Sequence, residues 1–315
     1  RAYGGEPMKI VIPGGTGQIG TCLARSFSAQ GHEVVVLSRS LHAAPWQVAV
    51  WDGQTLGAWV SALENADAVI NLAGRSINCR YTWKNRWQIL ESRIRSVRVL
   101  GEAIRHLKTP PKVWLQAGAA TIYAHRLDEA NDEISGVMGG FENPCPETWR
   151  FGVDVARAWE GEFALLHLPH TRKVVLRTSL VMNPDRGSVF DYLLGLVRLG
   201  LGGTVGSGQQ YVSWMHESDY TRALQFLIEN ETLEGPFNMA SPHPLPNADF
   251  MAQLRRSWGI NIGLPVYEWM LEIGAFLMRT ESELVLKSRR VAPKRLLDSG
   301  FVFQFPDWNM AADDL

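Results

Sequence analysis

A doubly wound α/β fold, in which a parallel sheet carries helices on both faces, follows from three features of this chain. Short β-branched runs alternate with amphipathic stretches through residues 8–181, and the first run passes directly into a glycine cluster. The 315 residues, 46% of them hydrophobic, suffice for a large core. Beyond Asn183 the rhythm breaks. That break predicts a Rossmann-type domain over residues 8–182 and a smaller C-terminal α/β lid over 183–315, some of whose segments return to the sheet.

The elements follow in order. Ile10-Val11-Ile12 marks a buried strand over 8–13, residues 18–29 a helix ended by Gly31, and Val34-Val35-Val36-Leu37 the next strand, which makes a βαβ unit. Residues 47–51 read as a third strand, 56–64 as a short helix and 68–72 as a fourth strand. Trp87, Leu90, Ile94, Val97, Leu100 and Ile104 recur at helical spacing over 83–107, and Pro110-Pro111 stops the chain before a fifth strand at 113–117. Residues 126–148, polar and rich in Gly, Pro and acids, form a long loop. A helix over 151–168 and a sixth strand over 173–181 complete the first domain. Farther on, 195–208 is glycine-dense, 211–214 a short strand, 219–229 a helix, 241–246 a stiff connector and 247–258 a helix.

Charge excludes some partners. Lys and Arg total 31 against 32 acids, so there is no basic field for nucleic acid or an anionic membrane. The apolar stretch 264–278 is interrupted by Glu268 and Glu272, which argues against a membrane span. No signal peptide is recognised; Met8 reads as the natural start and residues 1–7 as a short extension. Cys22, Cys79 and Cys145 are too few and scattered for a disulfide frame or zinc site, which fits a reducing cytoplasm. His125, His167, His170 and His243 lack metal spacing, so no metal is expected. The twelve tryptophans are expected mostly in the core.

The chemistry begins at Gly14-Gly15-Thr16-Gly17-Gln18-Ile19-Gly20, which joins strand to helix. Glycines at 14, 17 and 20 suit a tight turn, close approach of backbone amides to a pyrophosphate, and close packing of helix on strand. The second strand ends in Ser38-Arg39, where an NAD-binding protein usually places an acid for the ribose hydroxyls. A guanidinium there suits the 2′-phosphate of NADP. Asn71-Leu72-Ala73-Gly74 closes another apolar run with a small turn at a strand's C-terminal end, where ligands of such sheets bind. Trp214 and His216 alternate along a short strand and so share a face, for stacking and proton transfer, or with His216 structural and bonded to Asp219. Arg289-Arg290 with Lys294 and Arg295 fits either an anionic substrate tail or a solvated face.

With these motifs in place, the chain resembles the extended and atypical short-chain dehydrogenase/reductases, in the nucleoside-diphosphate-sugar-epimerase-like branch. The likeness runs through residues 8–305. It rests also on Ser92-Arg93, Leu199-Gly200-Leu201-Gly202-Gly203, Gly206-Ser207-Gly208-Gln209, Trp214-Met215-His216 with Asp219, Phe237-Asn238 with Ser241-Pro242, and Pro293-Lys294-Arg295-Leu296 with Gly300-Phe301. The resemblance implies an NADP (NADPH) site that includes Arg93, a small-molecule substrate, and substrate-side roles for Gln209 and Trp214. Active members of the wider family use a Tyr four residues before a Lys for proton transfer. This chain has no such pair, and the expected place reads Phe151-Gly152-Val153-Asp154-Val155. Thr121 and Tyr123, after the fifth strand, and His216 are the replacement candidates. A Tyr123 phenol with no ammonium beside it keeps a pKa near 10, which favours carbonyl reduction over alcohol oxidation. Two functions are compatible with these residues: an NADP-dependent oxidoreductase or epimerase-like enzyme for a small polar substrate, nucleotide-linked ones included, or an NADP-dependent sensor or scaffold without turnover.

Overall fold

The computed structural model describes residues 6–267 and 286–315, so residues 1–5 and all but the first four positions of the apolar stretch at 264–278 lie outside it. Among the described residues no helix is long and apolar enough to cross a membrane. The chain runs β1 (Lys9–Pro13), α1 (Gln18–Ala29), β2 (Glu33–Ser38), β3 (Gln47–Val50), a 3-10 turn (Ala58–Leu63), β4 (Ala68–Asn71), α2 (Trp83–Arg105), β5 (Val113–Ala119), a second 3-10 turn (Ala120–Ile122), α3 (Glu147–Ala164) and β6 (Arg172–Thr178). There follow β7 (Leu180–Met182), α4 (Val189–Arg198), β8 (Tyr211–Val212), β9 (Trp214–His216), α5 (Glu217–Glu229), β10 (Gly235–Met239), β11 (Leu245–Pro246), α6 (Asn247–Ser257), α7 (Lys294–Asp298) and α8 (Trp308–Asp314).

Seven strands form one sheet in the order β10-β6-β5-β4-β1-β2-β3, and every pairing is parallel. From β1 the chain winds outward to β2 and β3, then returns to β4 on the other side. The crevice at that reversal, beyond the C-terminal ends of β1 and β4, is where such sheets bind ligands. Alternation along β1 explains the layers. Ile10 and Ile12 face Leu23 and Phe27 of α1 and Leu224 of α5, whereas Val11 faces the cluster containing Leu100 of α2 and Phe163 of α3.

The expected sixth strand divides at Ser179, whose backbone N–H and hydroxyl both bond the Met239 carbonyl, and β7 then pairs with β9 in a separate ribbon. β10, which the sequence analysis does not assign, closes the sheet beside β6. Its Gly235-Pro236 start disguises it, since proline is tolerated on an edge strand. The helix α4 is similarly obscured by Gly195. In α2 the buried stripe runs through Ile89, Ile94, Val97, Leu100 and Ile104, while Trp83, 80% exposed, and Trp87 stand outside it. A third core joins α4, β9, α6 and α8 through Phe190, Trp214, Phe250 and Trp308.

Candidate functional site

The glycines of the β1–α1 turn are required for different reasons. Gly14 has φ +75°, and a Cβ there would lie 2.7 Å from the Ala73 Cα. Its absence lets the turns after β1 and β4 touch. A Cβ at Gly20 would meet the Gly15 Cα at 2.5 Å, so helix and turn could not close. Gly17 is unlike both: it has φ −75° and ψ 174°, which most residues adopt, and an added Cβ would find nothing nearer than the Gly14 carbonyl at 3.9 Å. Gly17 caps α1 without a side-chain bond, and the first turn of the helix holds no acid. The backbone amides of Gln18, Ile19 and Gly20 bond no described residue. This row of free donors at a helix N-terminus, beside a glycine left open on the solvent side, fits the diphosphate of a dinucleotide.

The neighbouring strand ends complete the rim. The Gly14 amide donates to the Leu37 carbonyl at 3.0 Å, which draws the end of β2 against the turn. Ser38 there is buried, and Arg39 is exposed with no partner among the described residues. At the end of β4, Asn71 is fully buried. Its side-chain amide donates to Gln116 at 2.9 Å and its oxygen accepts from the Ala73 N–H at 3.1 Å, so it shapes the turn from inside. Leu72 is held by its N–H on the Pro13 carbonyl, and Gly74 lies against Arg93, whose Cζ an added Cβ would meet at 3.1 Å. Arg93 donates to the carbonyls of Arg75 and Ile89 at 3.0 and 2.9 Å and lies over Trp159. Burial lowers its pKa to about 10, so it stays charged at neutral pH with no carboxylate paired to it.

Thr121 lies in the second 3-10 turn and Tyr123 caps it, but the two have different partners, and His216 lies on β9. Tyr123 is 2% exposed; its hydroxyl donates to Asn238 Oδ1 at 2.9 Å and accepts from Arg177 Nη1 at 2.8 Å. The phenol therefore does have a cation beside it, contrary to the expectation, because Arg177 of β6 reaches across from the neighbouring strand. Burial pushes its pKa up, and the Arg177 charge only partly offsets this. Arg177 is also paired with Glu160 of α3, at 2.9 Å. Thr121, half-buried, lies beside Lys287, which is 2% exposed and donates its ammonium to the Thr121 carbonyl at 2.8 Å, with the hydroxyl at 3.4 Å. None of Arg177, Glu160, Asn238 or Lys287 figured among the catalytic candidates. Two signals were present: Arg177 directly after the apolar run Val174-Val175-Leu176, since a charge in a central strand requires a partner, and Asn238 in the Phe237-Asn238 motif.

His216 is a helix cap. Its Nδ1 accepts the Ser218 N–H at 3.1 Å, its ring stacks on Phe305, and Nε2 lies 3.3 Å from Asp314. Asp219 is not its partner, because that carboxylate accepts the N–H groups of Gln304 and Phe305, both at 2.8 Å. Trp214 is fully buried against Trp308, with ring centres 5.0 Å apart. Gln209 is exposed and helps line a cavity of about 340 Å³ with Leu127, Ser207, Gly208, Tyr211, Pro246 and Ala248. The basic run nearby is largely engaged: Arg290 lies on Tyr211, Arg295 on Phe237, and Lys294 pairs with Asp298. A larger cavity of about 1010 Å³ lies at the opposite, N-terminal edge of the sheet, among Met8, Asp67, Lys112 and Arg172. Among the described residues no three His, Cys, Asp or Glu side chains gather as a metal site.

Burial holds His32, His125 and His216 below the usual imidazole pKa. The unfolded chain therefore takes up protons below about pH 6.5 that the folded chain refuses, and stability is lost as pH falls. Thermal melts should show a lower Tm at about pH 5 than at about pH 7. The substitution His216→Asn keeps an N-cap acceptor without a titrating ring, so its Tm should fall less steeply over this range. An unchanged slope would assign the acid loss to other groups.

Comparison with known proteins gives a consistent result. Residues 10–240 match the model of the NAD dependent epimerase/dehydratase family, and residues 267–315 match a domain of unknown function, DUF1731. The chain is 32% identical over 313 residues to the human epimerase family protein SDR39U1, covering 98% of this chain and 99% of that one. It is 31% identical to the Bacillus subtilis epimerase family protein YfhF, over 98% of each chain. The crystal structure of human SDR39U1 (isoform 2) with NADPH superposes with a TM-score of 0.84 at 29% identity, covering 98% of both chains.

Proposed function

The chain belongs to the NAD dependent epimerase/dehydratase family, and from that premise we propose that it binds NADPH across the ends of β1, β2 and β4 and acts as an oxidoreductase or epimerase-like enzyme on a small polar substrate. The row of free amides at Gln18, Ile19 and Gly20, facing the open side of Gly17, carries this reading. The exposed, unpartnered Arg39 supports the phosphorylated cofactor, and NADPH in the human relative points the same way. Bound NADPH supplies a hydride. Thr121 is the hydroxyl we assign to proton delivery, because it lies half-buried after β5 and the Lys287 ammonium beside it can return the proton.

Calorimetry with both reduced cofactors tests the site. NADPH should bind more tightly than NADH, and Arg39→Ala should weaken NADPH by at least about tenfold, from a lost contact of roughly 1.5–3 kcal/mol, with little effect on NADH. Equal affinities for the two cofactors would remove the NADP assignment. A specific observation favours a second reading, an NADP-dependent sensor without turnover: the Tyr123 proton is given to Asn238, and His216 serves as a cap. A panel of carbonyl compounds and nucleotide sugars separates the two. Oxidation of NADPH with any member supports the enzyme, and tight binding with none supports the sensor.

A further inference from the structure

We propose that residues 183–188 form a strap across the start of α1, from which Arg186 grips the diphosphate of the bound dinucleotide. This rests on the reading of the β1–α1 turn as the cofactor site. The strap is tied to α1 at two points, through Gln18 and through Arg25, and Gly187 leaves the Gln18 side chain room. Gln18 Nε2 donates to the Arg186 carbonyl at 3.2 Å, the same atom would lie 3.5 Å from a Cβ on Gly187, and Arg25 binds Asp185 through two bonds of 3.2 and 3.0 Å. Bonds within the strap and to Asp191 of α4 make it stiff. Asp185 N–H donates to Asn183 Oδ1 at 3.1 Å, the Ser188 hydroxyl to the Asn183 carbonyl at 2.8 Å, and Gly187 N–H to Asp191 at 2.8 Å.

These contacts fix the Arg186 backbone within one side chain's reach of Gln18, the first residue of the free amide row. The Arg186 side chain is exposed and bonds no described residue. The acid next to it, Asp185, is already taken by Arg25. A guanidinium fork facing the amides across the diphosphate would complete a two-sided anion cradle, in which each partner makes charge-assisted bonds. Nothing else in the strap uses that charge.

Arg186→Ala and Arg39→Ala separate this contact from the 2′-phosphate contact when each is titrated with NADPH and NADH. The diphosphate is common to both cofactors, so Arg186→Ala should weaken both by about tenfold, whereas Arg39→Ala should weaken NADPH alone. Arg25→Ala, which unties the strap, should speed dissociation of both cofactors in stopped flow. Arg186 has no partner to lose, so its variant should melt with the wild type, and the melt verifies that it is folded. Unchanged affinity for both cofactors in Arg186→Ala, or a loss confined to NADPH, would overturn the grip on the diphosphate. Failure of the wild-type protein to bind either cofactor would instead overturn the site itself, and the inference with it.

Discussion

Gly17→Val is expected to abolish NADPH binding while leaving the fold intact. The backbone at this position, φ −75° and ψ 174°, suits a β-branched residue, and beyond its two chain neighbours the nearest described atom to a Cβ there is the Gly14 carbonyl oxygen at 3.9 Å. The valine methyls would occupy the space over the free amides of Gln18 and Ile19 that the diphosphate needs. Two lost charge-assisted contacts at roughly 1.5–3 kcal/mol each amount to a weakening of about 10²- to 10⁴-fold. Gly20→Ala is the counterpart. Its Cβ would collide with the backbone of Gly15 at 2.5 Å, so this variant should lose about 1–3 kcal/mol of stability. Calorimetry beside thermal melts distinguishes a ligand-facing glycine from a packing one. A folded Gly17→Val protein that binds NADPH normally would move the diphosphate elsewhere.

Arg177→Met should cost about 3–5 kcal/mol of stability, the largest loss expected from a single side chain here. Its side chain is 7% exposed and that of its partner Glu160 14%, so removing the guanidinium strands a carboxylate in the interior. It also deprives the Tyr123 hydroxyl of a donor. Tyr123→Phe removes the middle of the same chain of bonds and leaves Asn238 Oδ1 without its donor, for about 1–3 kcal/mol. Denaturant unfolding measures both, and NADPH affinity should remain within about twofold in Tyr123→Phe, because the phenol is bonded to β6 and β10 and not to the glycine turn. Wild-type stability combined with lost NADPH oxidation in Tyr123→Phe would make this phenol a proton donor and not a strut.

What the sequence determined by itself is local. The β-branched run before Gly14 and the glycines at 14, 17 and 20 belong to one turn of near neighbours, and the βαβ unit they open carries Arg39 after β2, whose end the Gly14 amide holds through Leu37. The alternation of strand and helix likewise predicted the layers, because burial on one face imposes a period that any window reveals. The missing Tyr and Lys needed no structure to be noticed. Only the tertiary structure decided what stands in their neighbourhood. Arg177 and Asn238 meet Tyr123 across 54 and 115 positions, Lys287 reaches Thr121 across 166, and Gln18 reaches the Arg186 carbonyl across 168. Strand order brings Arg177 and Asn238 to Tyr123, packing of the loops brings the other two pairs together, and no local period encodes either. The same holds for β10, whose glycine and proline look like a turn until β6 offers an edge to complete. A side chain's role here depends on which hydrogen-bond partners remain free after packing, as the fully bonded Tyr123 and the unpartnered Arg186 illustrate.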